Sequence, residues 1–107
     1  MNLPKVIADL IKAQNEFDAV AYANLFSEAA IVFDEGKTHN GRPEIERWID
    51  HSNQNYQSVM KPLDYSDNGT AGILTAACSG TFPGSPVTLQ FHFDIADGQI
   101  QHLKVTD

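Results

Sequence analysis

Apolar residues recur at three- and four-residue steps along the first quarter of the chain. Val6, Ile7, Leu10, Ile11 and Ala13 form one face, and Lys5, Asp9, Lys12 and Gln14 fall between them, which predicts a helix opening at Pro4. Asn15-Glu16-Phe17-Asp18 interrupts the period. Asp18 is placed to cap a second helix, with Ala21, Tyr22, Leu25 and Phe26 inward. The pattern then becomes extended. Ala30-Ile31-Val32-Phe33-Asp34 carries no polar alternation until its end, so a strand buried on both faces is expected, closed by a turn at Glu35-Gly36 and a short return strand through His39. Beyond Asn40-Gly41, Pro43 opens a third helix with Ile45, Trp48 and Ile49 as its stripe. The second half reads as four strands, over 56–66, 70–82, 87–96 and 99–105. They are separated by Asp67-Asn68-Gly69, by Pro83-Gly84-Ser85-Pro86 and by Asp97-Gly98. Val87 to Ala96 alternates almost perfectly, with Leu89, Phe91 and Phe93 on one face and Gln90, His92 and Asp94 on the other. Helices first and a meander afterwards predicts an α+β fold in which the helices cover one sheet face.

Composition narrows the function. With 107 residues and 42% hydrophobic content, a single domain over residues 1–107 is expected. Fourteen acidic against seven basic residues give a formal charge of −7, which disfavours a nucleic-acid backbone or an anionic membrane as partner. No apolar run approaches membrane-spanning length and the N-terminus lacks the blocks of a secretory signal, so a cytoplasmic address is expected. Cys78 is the only cysteine and sits among small residues, where a thiol serves as apolar filler. His39, His51, His92 and His102 show no ligand spacing, so no metal site is read from them.

The stretch LFSEAAIVFDEGKTHNGRPEIERWI, from Leu25 to Ile49, resembles the nuclear-transport-factor-2-like superfamily in its SnoaL-like and ketosteroid-isomerase-like branches, and the resemblance extends over nearly the whole chain. It implies a cone-shaped, curved antiparallel sheet wrapped around the N-terminal helices, a cystatin-like α+β barrel with an apolar pocket, and homodimers paired through the sheet. It also implies cofactor-free chemistry, because Asp34 matches the position of the isomerase general base. A carboxylate closing an apolar strand is partly desolvated, its pKa rises, and it becomes able to take a proton beside a carbonyl. The alternative role for Asp34 is to accept N–H bonds from the Gly36 turn.

The isomerase's two oxyanion donors match Leu10 and Phe91 here, neither of which donates a side-chain hydrogen bond, so ketosteroid isomerisation itself is not expected. The Asp-Arg-Asp set of the epoxide-hydrolase branch is not expected either, since Arg42 and Arg47 both belong to the third helix. A pocket lined by Leu10, Trp48, Val59, Phe91, Phe93, Leu103 and Val105 is expected, with Asp34 as its ionisable group. Trp48 would serve as core and as pocket wall together. His39 is an accessory acid if it faces the mouth and otherwise a surface residue. Tyr22 is a pocket hydroxyl or, as the preferred reading, a helix residue reaching solvent. The expected function is proton-transfer chemistry, isomerase or cyclase in type, on a small hydrophobic carbonyl compound. The alternatives are a non-catalytic module binding a small ligand or protein, and a dimer whose pocket is plugged by its own side chains.

Overall fold

The computed structural model describes all 107 residues, Met1–Asp107. The order is α1 (Lys5–Asn15), α2 (Ala19–Ala23), β1 (Phe26–Asp34), β2 (Lys37–Asn40), α3 (Gly41–Tyr56), β3 (Val59–Asp67), β4 (Ala71–Ser79), β5 (Val87–Ala96) and β6 (Gln99–Thr106). The strands form one open, curved sheet in the order β2-β1-β6-β5-β4-β3. All neighbours are antiparallel except β1 and β6, which run parallel. The second half is therefore the expected meander, folded back so that its last strand lies against the first.

Local chemistry explains the boundaries. The Asp18 carboxylate accepts the Ala21 N–H at 3.0 Å, capping the short α2. Glu35 and Gly36 have φ of 53° and 75°, the paired left-handed conformation of a two-residue hairpin turn, so Asp34 lies directly across from Lys37 at the strand end. Gly41 at φ 84° lets the chain turn into α3, where a Cβ would stand 3.3 Å from the Glu28 carbonyl. Two guanidinium N–H groups of Arg42 then donate to the Phe26 carbonyl at 3.1 and 2.8 Å, fastening α3 to the start of β1. At the far edge Asn15 plays the part of a strand: its side chain accepts the Met60 N–H at 2.8 Å and donates to the Met60 carbonyl at 3.1 Å, docking α1 on β3.

Several expectations need correction. The second helix stops at Ala23, so Leu25 and Phe26 lie beyond it, and Phe26 opens β1 four residues before the expected Ala30. The strand expected over 70–82 spans Ala71–Ser79. The run from Ala30 to Phe33 is buried on one face only: Ala30 and Val32 are buried, whereas Ile31 is exposed and Phe33 half-buried. The helices cover one side of the sheet and leave the other open, so alternation, not double burial, governs β1. The strand placed from Tyr56 begins at Val59 instead, because α3 runs on to Tyr56 and ends only where Gln57 turns left-handed at φ 48°. Its apolar stripe gives out after Ile49 because the next inward position holds Asn53, a buried polar residue.

One core of 19 buried apolar residues lies between helices and sheet, with Ile7, Leu10, Phe26, Val32, Ile45, Leu74, Phe93, Ile100 and Leu103 at or below 2% exposure. Register shifts interrupt the β1–β6, β3–β4 and β5–β6 ladders and bend the sheet into a cone.

Candidate functional site

The core does not fill the cone. An open cavity of about 1340 Å³ lies between α3, the concave sheet face and the ends of β1 and β6. This sets aside the plugged alternative. Phe33, Trp48, Ile49, Met60, Val87, Leu89, Phe91 and Val105 contribute apolar wall, and Gln14, Tyr22, Asp34, His39 and Ser58 contribute polar groups.

Asp34 borders the cavity, half-buried at the end of β1. Burial holds its carboxyl above the ordinary value of 3.8, and the neighbouring charge of Glu35 adds to the rise. Side-chain hydrogen bonding from Trp48, the positive charge of His39 and the Glu35 N–H pull in the other direction without cancelling it. The backbone group that reaches the carboxylate belongs to Glu35, not Gly36.

An aromatic wall holds these groups in place. His39 stacks on Trp48 with ring centroids 5.5 Å apart and planes at 29°. Trp48 meets Tyr22 edge-on at 6.1 Å, and Tyr22 packs against Phe26 at 5.6 Å. His39 is thus half-buried against the indole, not a free surface residue. Tyr22 is 2% exposed, so its hydroxyl does not reach bulk solvent as the helical period suggested. Burial, and then the nearby charge of Asp34, push its phenol far above its ordinary value, so it stays protonated. Asn53 Nδ2 is the only fully enclosed side-chain nitrogen or oxygen without a partner, so the Tyr22 hydroxyl, which bonds to nothing in the chain, keeps access to the cavity.

Of the other expected wall residues, Trp48, Phe91 and Val105 border the cavity. Leu10, Phe93 and Leu103 do not: they are buried in the solid core behind it, because the cavity opens toward α3 and the α1 end of the cone is fully packed. Val59 stands on the outer face of the edge strand, 39% exposed. Many wall residues were not expected, Phe33, Val87 and Leu89 among them. Gln14 and Met60 enter where α1 meets β3, Arg47 lies at the mouth on α3, and Cys78 is 4% exposed on β4, where burial raises its thiol to about 11. Alternation along 70–82 places Cys78 with Leu74 and Ala76 and could have found it; Gln14, four residues after Leu10, holds an inward helical position, but a polar residue there reads as surface. No three His, Cys, Asp or Glu side chains converge as metal ligands would, and no helix is long and apolar enough to cross a membrane.

No protein-family model matches the chain, and no curated protein does. A Sinorhizobium meliloti protein described as a candidate polyketide cyclase is 36% identical, with a TM-score of 0.93 over 97% of this chain and 95% of its own. The chain belongs to the SnoaL-like, ketosteroid-isomerase-like branch of the nuclear-transport-factor-2-like superfamily. More distant structures share the fold. A Catenulispora acidiphila protein with a ketosteroid-isomerase-like fold, solved in complex with trimethylamine, is 16% identical with a TM-score of 0.89 over 99% of this chain and 87% of its own. SalBIII, an epoxide-hydrolase/cyclase-like enzyme of pyran-ring formation in the polyether salinomycin, is 21% identical with a TM-score of 0.78 over 94% and 86%. In this SnoaL-like chain Arg42 is committed to the Phe26 carbonyl, which leaves Arg47 as the one arginine at the cavity.

Proposed function

We propose that this SnoaL-like protein is a cofactor-free enzyme, isomerase or cyclase in type, that moves a proton on a small hydrophobic carbonyl compound. The observation that carries the reading is a carboxylate with a raised pKa beside the aromatic and aliphatic wall of an open cavity. Asp34 would take the proton from the carbon beside the carbonyl, and the electron pair would move onto the carbonyl oxygen. Tyr22 supplies the donor that Leu10 and Phe91 cannot: a protonated phenol, unbonded within the chain and free to donate to that oxygen as it gains charge. The enolate then collapses by accepting the Asp34 proton at another carbon, or by attacking a second carbonyl carbon of the same folded substrate, whose π electrons move onto its oxygen and take up the Asp34 proton. Trp48 and His39 hold the carboxylate and shape the pocket.

The test is solvent deuterium uptake by 2-tetralone and 4-phenylcyclohexanone, followed by NMR. Exchange should fall at least about 100-fold in Asp34→Asn, while binding, read from the fluorescence of the single tryptophan, Trp48, persists. Wild-type protein that binds but never exchanges would instead be a ligand-binding module. The apolar residues at both positions where the isomerases hold oxyanion donors favour that second reading. We further propose a cytoplasmic homodimer paired through the outer sheet face, where Ile31, Val59 and Ile73 are exposed.

A further inference from the structure

Where α1 meets β3, two polar side chains sit in positions that the helix patterns reserve for apolar ones. Gln14 follows Leu10 by four residues and Asn53 follows Ile49 by four; they are 7% and 8% exposed. They answer each other. Gln14 Nε2 donates to Asn53 Oδ1 at 3.2 Å and to the Ser58 carbonyl at 2.6 Å. A backbone carbonyl can only accept, so the orientation of the Gln14 amide is fixed and both of its donors are spent. Its acceptor, Oε1, has no partner in the chain. It is also not sealed in, since Asn53 Nδ2 alone is enclosed and unpartnered, and Gln14 borders the cavity. The result is a rigid carbonyl oxygen, held by a side chain more than nine-tenths buried, on the cavity wall beside Met60 and Ser58. A pair of this kind costs stability compared with leucine, and such breaches of the core pattern concentrate where a ligand is met.

We infer that Gln14 Oε1 is a hydrogen-bond-acceptor subsite that selects ligands carrying a hydroxyl at the end remote from the carbonyl. Gln14 works beside β3 and Asp34 at the end of β1, and four strand spacings separate those strands in the sheet. Along the sheet that is about 19 Å, shortened across the cone by its curvature. The ligand implied is an elongated hydroxy-ketone, its carbonyl toward Asp34 and Tyr22 and its hydroxyl donating to Gln14. A ligand without the donor would dry the Gln14 oxygen and leave it unpaired, which is how a buried polar group rejects an apolar analogue. The inference rests on the proposed ligand-binding role of the cavity and is independent of whether Asp34 catalyses.

The experiment compares six ketones on the full chain by Trp48 fluorescence: 2-tetralone, 4-phenylcyclohexanone, and the hydroxy and methoxy derivatives 6-hydroxy-2-tetralone, 6-methoxy-2-tetralone, 4-(4-hydroxyphenyl)cyclohexanone and 4-(4-methoxyphenyl)cyclohexanone. At least one hydroxy compound should bind about tenfold tighter than both its parent and its methoxy partner. Gln14→Met should erase that preference, so that hydroxy, methoxy and parent compounds bind within about threefold of one another. Should the variant fail to fold, the wild-type comparison still decides. Equal binding of hydroxy, methoxy and parent compounds on both scaffolds overturns the inference, as does a hydroxyl preference that survives in Gln14→Met. Deuterium exchange without hydroxyl preference sinks the subsite and leaves the enzyme reading standing; preference without exchange does the reverse. Absence of binding by all six overturns both.

Discussion

Asp34 is tuned by what surrounds it, and the tuning has a thermodynamic signature. Its carboxyl is held above 3.8, chiefly by burial. The folded state therefore binds the proton more tightly than the unfolded chain does, and stability falls as pH rises through the interval between the two pKa values. Above its folded pKa the protein carries the whole penalty of a half-buried anion; below the unfolded value near 3.8 the penalty vanishes. Asp34→Asn should thus be more stable than wild type to chemical denaturation at pH 7, and the gap should close by about pH 3.5. A variant less stable at pH 7 would show the carboxylate acting as a turn anchor. Tyr22→Phe makes the complementary case. Its hydroxyl has no partner to lose, so stability should change by less than about 0.5 kcal/mol, while deuterium exchange drops roughly 10- to 100-fold; a stability loss without an exchange defect would make the residue structural. Asp34 was legible in the sequence because an acid ending an apolar strand is conspicuous. The partners were not, since Tyr22 acquires its role from Trp48 and the cavity, which no local period describes. Gln14 was hidden for the same reason: polar residues at inward positions read as surface until the second one, 39 residues away, is seen to pair with it.

Element by element, what the chain announces is what alternation and turn chemistry can carry. Val87 to Ala96 matches residue for residue, and the Glu35-Gly36 and Asp97-Gly98 turns fall where their left-handed residues require. The end of α3 was misplaced because Asn53 breaks its stripe, and the β1–β6 parallel pairing was invisible, as it joins residues more than seventy apart. Nor did any pattern show how α1 is fastened. Asn15 reads as the start of the interruption in the helical period, yet it closes α1 and its amide completes the hydrogen bonding of Met60 on an edge strand. Asn15→Ala leaves a part-buried N–H and carbonyl of Met60 without protein partners, and should cost about 1 kcal/mol of unfolding free energy in urea titration. It should also widen the α1–β3 seam beside Gln14. Asn15→Asp keeps the acceptor for the Met60 N–H but loses the donor, so it should be intermediate; equal stability of all three proteins would show that water replaces the side chain freely.

At the scale of the whole molecule, the sheet divides its two faces between two tasks. The concave face closes the cavity, and the convex face is left without a covering layer. Ile73 pairs across from His92, and Asp94 from His102, while His92 also lies opposite Lys104, so the open face mixes apolar and ionisable groups around a shallow depression of about 610 Å³. Ile31 and Ile73 are 37% and 39% exposed there. Isolated exposed aliphatics are ordinary, but several on one uncovered sheet face favour self-association through that face. Native mass spectrometry at micromolar concentration should show a dimer, and Ile73→Lys, which would place like charges near the centre of a two-fold contact, should convert it to monomer. Because Asp34, Tyr22 and Gln14 lie on the other side of the sheet, the monomeric variant should retain ketone binding and deuterium exchange within about threefold. Loss of both together with the dimer would mean that the second copy shapes the cavity. A dimer untouched by Ile73→Lys would place the contact elsewhere, and the uncovered face would then need another occupant.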